Sequence, residues 1–77
     1  MTVQVKFFAS LRERVGKAEV KLNPDRNLTA LQVWQQSTGE NQLSANILIA
    51  VNQEYVDSEQ LVNDGDEIAF FPPVTGG

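Results

Sequence analysis

The chain has 77 residues, of which 42% are hydrophobic, so it is long enough for one small domain and too apolar for a disordered segment. It contains no cysteine and no histidine, which excludes a disulfide framework, a thiolate metal site and catalysis by a cysteine nucleophile or a histidine base. All six basic residues lie in the first 26 positions and the net charge is -4, so the acidic remainder disfavours nucleic acid and serves either to steer a basic partner or to keep the chain soluble.

The first part of the chain predicts two strands with a short helix between them. Residues 3–7 alternate apolar and polar side chains, which is the period of a half-buried strand. Ser10 and Glu13 have the spacing of a capping box with Ser10 as the N-cap, and Gly16 is a suitable helix stop. Residues 19–22 alternate again and indicate the second strand.

The middle of the chain predicts the main helix. Thr29 and Gln32 have capping-box spacing with Thr29 as the N-cap. An apolar stripe that includes Trp34 follows, and Gly39 provides a left-handed stop. We therefore predict a helix over residues 30–38 with Trp34 in the core.

Three further strands follow. Residues 47–51 are almost all apolar, and so short a run favours a buried strand over a helix. A turn at residues 52–53 leads into a return strand over residues 54–56. The Asp-Gly pair at residues 64–65 predicts a tight turn before the last strand, over residues 66–71.

This order of elements predicts an α+β fold. One amphipathic helix must cover one face of a mixed sheet of about five strands, which is the arrangement of a β-grasp, ubiquitin-like roll. We expect this domain to occupy residues 1–71 and an extended tail to occupy residues 72–77. A ferredoxin-like sandwich is the alternative, but the residues between 57 and 64 are too few for the second helix that it needs.

The folded body offers no pattern for catalysis. Asp64, Asp66 and Glu67 do not have calcium-loop spacing and are better interpreted as a solvated turn. The acidic residues at positions 54, 57 and 59 are better interpreted as a polar edge. We therefore expect no metal site and no permanently bound cofactor.

The tail carries the strongest functional signal. It consists of Pro72, Pro73, Val74, Thr75, Gly76 and Gly77. The two prolines stop the strand and favour a stiff extended arm, the next two residues lengthen it, and the two glycines make a tip slim enough for a narrow channel. The reactive group is then the Gly77 carboxylate, which must be activated by a partner because this domain has no residues for that step.

Strand alternation also predicts a docking surface. If the apolar positions of the strands point inwards, then Tyr55 and Phe71 point outwards, and Phe8 points outwards or lies at the turn. Outward aromatic side chains on one small sheet are typical of an interface, so we expect a partner to bind these three residues as well as the tail. The alternative is that loops or the short helix cover them.

Three stretches resemble one known family. The closing stretch DGDEIAFFPPVTGG, residues 64–77, resembles the C-terminus of the small, sulfur-carrying subunit family of molybdopterin synthase. The opening residues 5–9 and 11–13 and the central residues 51–53 are similar to that family as well. The match covers nearly the whole chain, and it is the Phe-Pro-Pro before Gly-Gly that separates it from the sulfur carrier of thiamine synthesis.

The resemblance implies a mechanism. An ATP-dependent adenylyltransferase of the ubiquitin-activating type would adenylate the Gly77 carboxylate, and a sulfur donor would convert the transient glycyl adenylate to a thiocarboxylate. The tail would then enter the large synthase subunit, in a two-plus-two heterotetramer, and give sulfur to the cyclic pyranopterin precursor of the molybdopterin dithiolene. The alternatives are a thiamine-pathway carrier, a ubiquitin-like modifier conjugated through Gly77, and an adaptor with an inert tail.

A cytoplasmic location is expected. The sequence has no apolar run long enough to cross a membrane, and its first residues do not have the pattern of a secretory signal.

Overall fold

A mixed sheet covered by one main helix forms the body of the molecule. The computed structural model describes residues 1–72. In this part of the chain the elements in order are β1 (Val3–Phe7), α1 (Ser10–Val15), β2 (Glu19–Leu22), β3 (Leu28–Thr29), α2 (Ala30–Thr38), β4 (Leu48–Val51), β5 (Glu54–Val56), β6 (Leu61–Val62) and β7 (Glu67–Phe71).

The strand order confirms the predicted β-grasp architecture. Within residues 1–72 the main sheet has five strands in the order β2-β1-β7-β4-β5. β1 and β7 are parallel, and the other neighbours are antiparallel. The first and last strands therefore lie side by side in the middle of the sheet. The predicted boundary between a domain over residues 1–71 and a tail over residues 72–77 stays a prediction.

α2 covers one face of the sheet and builds the core around Trp34. The indole is fully buried and meets the rings of Phe70 and Phe7 edge to face, with centroids 5.0 and 6.1 Å away. Its Nε1–H donates to the Gln42 carbonyl at 3.0 Å, so the one polar atom of the buried ring has a partner. The core position predicted for Trp34 is confirmed.

The predicted capping box of α2 is confirmed. The backbone N–H of Gln32 donates to Thr29 Oγ1 at 3.2 Å, and the Gln32 side chain accepts from the Thr29 N–H at 2.9 Å. The helix spans the predicted residues, and Gly39 follows it with a φ of 79°, where a side chain would be strained. These local signals and the tertiary fold agree.

The predicted capping box of α1 is wrong, although the short helix and its Gly16 stop are confirmed. The N-cap is Ala9, no side chain caps the helix, and Ser10 is already its first residue. The cause is a tertiary contact between the end of β1 and the end of β7. The Phe8 N–H donates to the Phe70 carbonyl at 3.2 Å and prolongs the β1–β7 ladder, so the chain must turn sharply at Ala9, where φ is 53°.

A small second sheet was not predicted. β3 and β6 pair over two residues each, with Leu28 opposite Val62 and Thr29 opposite Leu61. The segment before β6 also satisfies the start of α2, because the Ala30 N–H donates to the Gln60 carbonyl at 2.9 Å. Two-residue strands are too short to show a period, so the sequence alone gives no signal for them.

None of the described helices has the length and apolar character needed to cross a membrane.

Candidate functional site

The predicted site residues fall into two groups. Pro73, Val74, Thr75, Gly76 and Gly77 lie outside the described residues, and their predicted roles stay predictions. Pro72 directly follows β7 and is half-buried. The part of the candidate site that the structure describes therefore consists of Pro72 and the three predicted docking residues Phe8, Tyr55 and Phe71.

Phe8, Tyr55 and Phe71 come together on the face of the sheet opposite α2, and we call them the aromatic patch. The rings of Phe8 and Phe71 stack with centroids 4.7 Å apart and planes 8° from parallel. Tyr55 meets Phe71 at 6.4 Å and 61°. Tyr55 is 73% exposed and Phe8 36%, so the predicted outward orientation is confirmed, while the docking role stays a prediction.

The sheet register explains why the patch forms. The parallel pairing of β1 and β7 sets Phe7 opposite Phe70, two buried residues, so the next residues of both strands, Phe8 and Phe71, turn to the open face together. Leu48 lies opposite Phe71 on β4 and is 37% exposed. The apolar surface therefore extends from Phe8 across three strands to Tyr55.

An ion pair lies beside the patch on the same face. Lys6 Nζ is 2.7 Å from Glu67 Oε1, and both side chains are partly exposed. The hydrogen bond from Lys6 to Glu67, together with the Glu67 charge, raises the pKa of Lys6. The sequence alone did not predict this pair. Strand alternation places Lys6 and Glu67 on the same face of the sheet, but they can be recognised as partners only once β1 and β7 are known to be neighbours.

The acidic residues around the turn at 64–66 are used in turn hydrogen bonds. Asp64 Oδ1 accepts from the Thr2 N–H at 2.7 Å. Asp66 accepts from the Asn63 N–H at 2.7 Å and from the Asn52 side chain at 2.9 Å. These bonds tie the start of β1 and the β4–β5 hairpin to the entry of β7, so they help to fix the strand that ends in Phe71.

Comparisons with known proteins give one consistent result. A family model described as the ThiS family matches residues 5–77. The chain is 39% identical to the molybdopterin synthase sulfur carrier subunit of Haemophilus influenzae over 80 residues, covering 97% of this chain and 99% of that protein.

Solved structures give the same picture of the fold. SAMP1 from Haloferax volcanii matches with a TM-score of 0.80 at 27% identity, covering 100% of both chains. A chain of the complex of subunits 1 and 2 of the molybdopterin-converting factor from Helicobacter pylori matches with a TM-score of 0.62 at 26% identity, again covering 100% of both chains.

Proposed function

This chain belongs to the ThiS family, and on that premise we propose that it is the sulfur carrier subunit of a molybdopterin synthase. The observation that carries the proposal is the 39% identity, over nearly the whole of both chains, to the Haemophilus influenzae subunit of that name. The family match runs through residue 77 and so includes the Gly-Gly tip that sequence reasoning selected. A protein modifier is less well supported, because the identity to SAMP1, a small archaeal modifier protein, is 27% against 39% to the synthase subunit. A thiamine-pathway carrier is less well supported because of the Phe-Pro-Pro that precedes Gly-Gly in this chain.

The proposed chemistry takes place at the Gly77 carboxylate. A carboxylate is a poor electrophile, so an ATP-dependent adenylyltransferase of the ubiquitin-activating type joins it to AMP and releases pyrophosphate. A sulfur donor then attacks the glycyl carbonyl, AMP leaves, and the terminus becomes a thiocarboxylate. Gly76 has no side chain beside the reacting carbonyl, which leaves it open to attack in a narrow channel.

The sulfur acceptor is proposed to be the cyclic pyranopterin precursor, bound by the large synthase subunit. The thiocarboxylate gives up its sulfur to build the dithiolene, and Gly77 returns to a carboxylate with an oxygen from water. The carrier needs no permanently bound cofactor for this cycle, because ATP is consumed by the activating enzyme. The chain therefore acts as a substrate of one enzyme and a subunit of another.

The aromatic patch is proposed to dock the large subunit. Its three rings stay partly exposed although Phe71 contacts both of the others, and burying them in an interface would remove that apolar area from solvent. The patch ends at Phe71, next to Pro72, so a partner seated on it is placed to take the tail. The Helicobacter pylori complex of subunits 1 and 2 supports a large-subunit partner, and a two-plus-two heterotetramer in the cytoplasm is our proposal for this chain.

The chemistry is tested by the mass of the C-terminal peptide and by two tail variants. After incubation with the activating enzyme, ATP and a sulfur donor, the peptide ending at Gly77 should gain the mass difference between sulfur and oxygen. Deletion of Gly77 should abolish both the mass gain and dithiolene formation. A variant with one alanine added after Gly77 keeps every residue but turns the reactive carboxylate into an amide, and it should fail in the same way.

Both variants should keep the circular dichroism spectrum and melting temperature of the unmodified chain, because neither touches residues 1–72. Dithiolene formation by the Gly77 deletion would show that the mechanism is wrong. Isopeptide adducts on target lysines that depend on Gly77 would favour the modifier function instead.

A further inference from the structure

Two alanines face each other at the centre of the open sheet face. Ala50 of β4 lies opposite Ala69 of β7, and both are on the face away from α2. In the same row Ala69 lies opposite Lys6 on one side, and Ala50 lies opposite Tyr55 on the other. Strand positions are usually occupied by β-branched or aromatic residues and alanine is depleted there, so a facing alanine pair on the two central strands calls for a reason.

The alanines form the floor of a hollow beside the aromatic patch. Phe8 and Phe71 form the aromatic wall, and the Lys6–Glu67 ion pair together with Gln53 forms the polar wall. The hollow has a volume of ≈ 240 Å³. An engineered apolar cavity of about 150 Å³ is large enough to bind benzene, so the hollow has room for one large side chain.

The charges around the hollow favour a neutral occupant. Lys6 and Glu67 lie 2.7 Å apart and offset each other, so the polar wall has no net charge. A charged side chain that entered the hollow would lie next to whichever of Lys6 and Glu67 has the same charge, unless it separated the two. The alanine methyl groups and the two phenyl rings offer hydrocarbon contacts instead, which an apolar side chain fits best.

The position of the hollow limits which protein can fill it. Phe71 belongs to the wall of the hollow and to the end of β7, and Gly77 is only the sixth residue after it. Six residues span at most about 20 Å even when fully extended. Any protein that holds the Gly77 carboxylate must therefore come within that distance of Phe71, close to the open face.

We propose that the hollow over Ala50 and Ala69 receives one large apolar side chain, of the leucine, methionine or phenylalanine class, from the large synthase subunit. This inference rests on the proposed function and adds the chemistry of the contact. The two alanines determine which side chain of the partner fits, because their small size leaves the hollow open. The stacked rings of Phe8 and Phe71 and the Lys6–Glu67 ion pair line the hollow at its sides.

The test fills the hollow from the side of this chain. Ala69→Leu places the occupant's bulk in the hollow, and Ala69→Val does so in a smaller step with a residue that strands favour. Binding to the purified large subunit is measured by titration calorimetry. We expect the dissociation constant to rise at least tenfold for Ala69→Leu and by a smaller factor for Ala69→Val, with the melting temperature of both variants preserved.

The matched control is Gln4→Leu. Gln4 is exposed on the same face of β1 but does not line the hollow, so the control adds a leucine to the face and leaves the hollow open. It should bind with the affinity of the unmodified chain.

The outcomes separate the two proposals. If the unmodified chain does not bind the large subunit, the proposed function and this inference are both wrong. If the unmodified chain binds and both Ala69 variants match its affinity, the hollow receives no side chain and only the inference is wrong. Equal losses for Gln4→Leu and Ala69→Leu would also overturn it, because the effect would then not depend on the hollow.

Discussion

Phe71 belongs to the sheet, the aromatic patch and the start of the tail. It is the last residue of β7 and lies opposite Leu48. Its ring stacks on Phe8 and contacts Tyr55. Because it precedes Pro72, its backbone is restricted to extended conformations, so the strand direction is carried into the first residue of the tail.

A charge at this position should separate docking from folding. Phe71→Glu should weaken binding to the large subunit at least tenfold, because a carboxylate would be buried in an apolar contact. The ring is only half-buried, so the free energy of unfolding should fall by no more than about 1–2 kcal/mol. Titration calorimetry and chemical denaturation measure the two effects.

Leu61→Glu is the control for this variant, since Leu61 is 52% exposed on β6 and lies outside the aromatic patch. Unaltered affinity of Phe71→Glu, or an equal loss for Leu61→Glu, would show that the patch does not dock the partner.

The Lys6–Glu67 pair gives a pH-dependent prediction. Glu67 raises the pKa of Lys6, so the pair stabilises the fold at neutral pH, and this contribution is lost as the pH rises through the raised pKa. Glu67→Gln should lower the pKa of Lys6, which an NMR titration of its ε-carbon measures. The stability difference between the two proteins should shrink at alkaline pH.

Glu19→Gln is the control for the Lys6 titration, because Glu19 is the smallest contributor to the raised pKa. Equal shifts in the two variants would mean that Glu67 is not the main cause.

The two helices show how far local signals decide structure. Both have the Ser/Thr-x-x-Glu/Gln spacing, but only Thr29 caps its helix. In α2 the box coincides with a buried stripe that includes Val33 and Trp34, so local and tertiary preferences agree. In α1 the bond from Phe8 to Phe70 fixes where the strand ends, and the helix begins one residue too early for Ser10 to cap it.

This contrast makes a paired prediction. Thr29→Ala removes an oxygen that accepts the Gln32 N–H, and it should lower the free energy of unfolding by about 1 kcal/mol. Ser10→Ala removes a hydroxyl that caps nothing and should change stability by less than about 0.5 kcal/mol. Urea denaturation of both variants checks the difference, and equal losses would contradict the assignment of the caps.

At the level of elements, the sequence predicts those strands and helices that have a hydrophobic period or are bounded by turn or capping residues. The five strands of the main sheet and α2 all have at least one of these features. β3 and β6 have neither, because each is two residues long and their pairing depends on where the rest of the chain places them. Alternation also predicts that Phe8 and Phe71 point outwards, but their stacking requires the parallel neighbours β1 and β7, a pairing of residues more than 60 positions apart.

The charges of the whole molecule are unevenly distributed, because all six basic residues lie in the first 26 positions and most of the acidic residues follow them. Lys21 lies on β2 and Glu54 on β5, which form the opposite edges. Asp57 and Glu59 follow β5 and are exposed, so the acidic edge adjoins the Tyr55 end of the aromatic patch. Such an arrangement favours long-range attraction of a basic partner towards this side of the domain.

The sorted charges predict salt-dependent association. Raising the salt from about 0.05 M to about 0.5 M should slow association with the large subunit about tenfold and change dissociation little, since steering acts before the apolar contact forms. Stopped-flow fluorescence of a label attached to the large subunit measures both rates.

Reversing one charge at each edge supplies the control. Asp57→Lys should slow association and Lys21→Glu should not. Equal effects at the two edges would mean that the acidic edge does not steer the partner.

The central position of β7 also has a mechanical consequence. β7 is bonded to β1 on one side and to β4 on the other, with four paired positions along each. When the chain beyond Phe71 is pulled along the strand axis, both ladders are loaded in shear, and their hydrogen bonds must break together rather than one at a time. The domain can therefore resist force applied through the segment that follows β7, as when a tail held in a channel is withdrawn, without unravelling from that end.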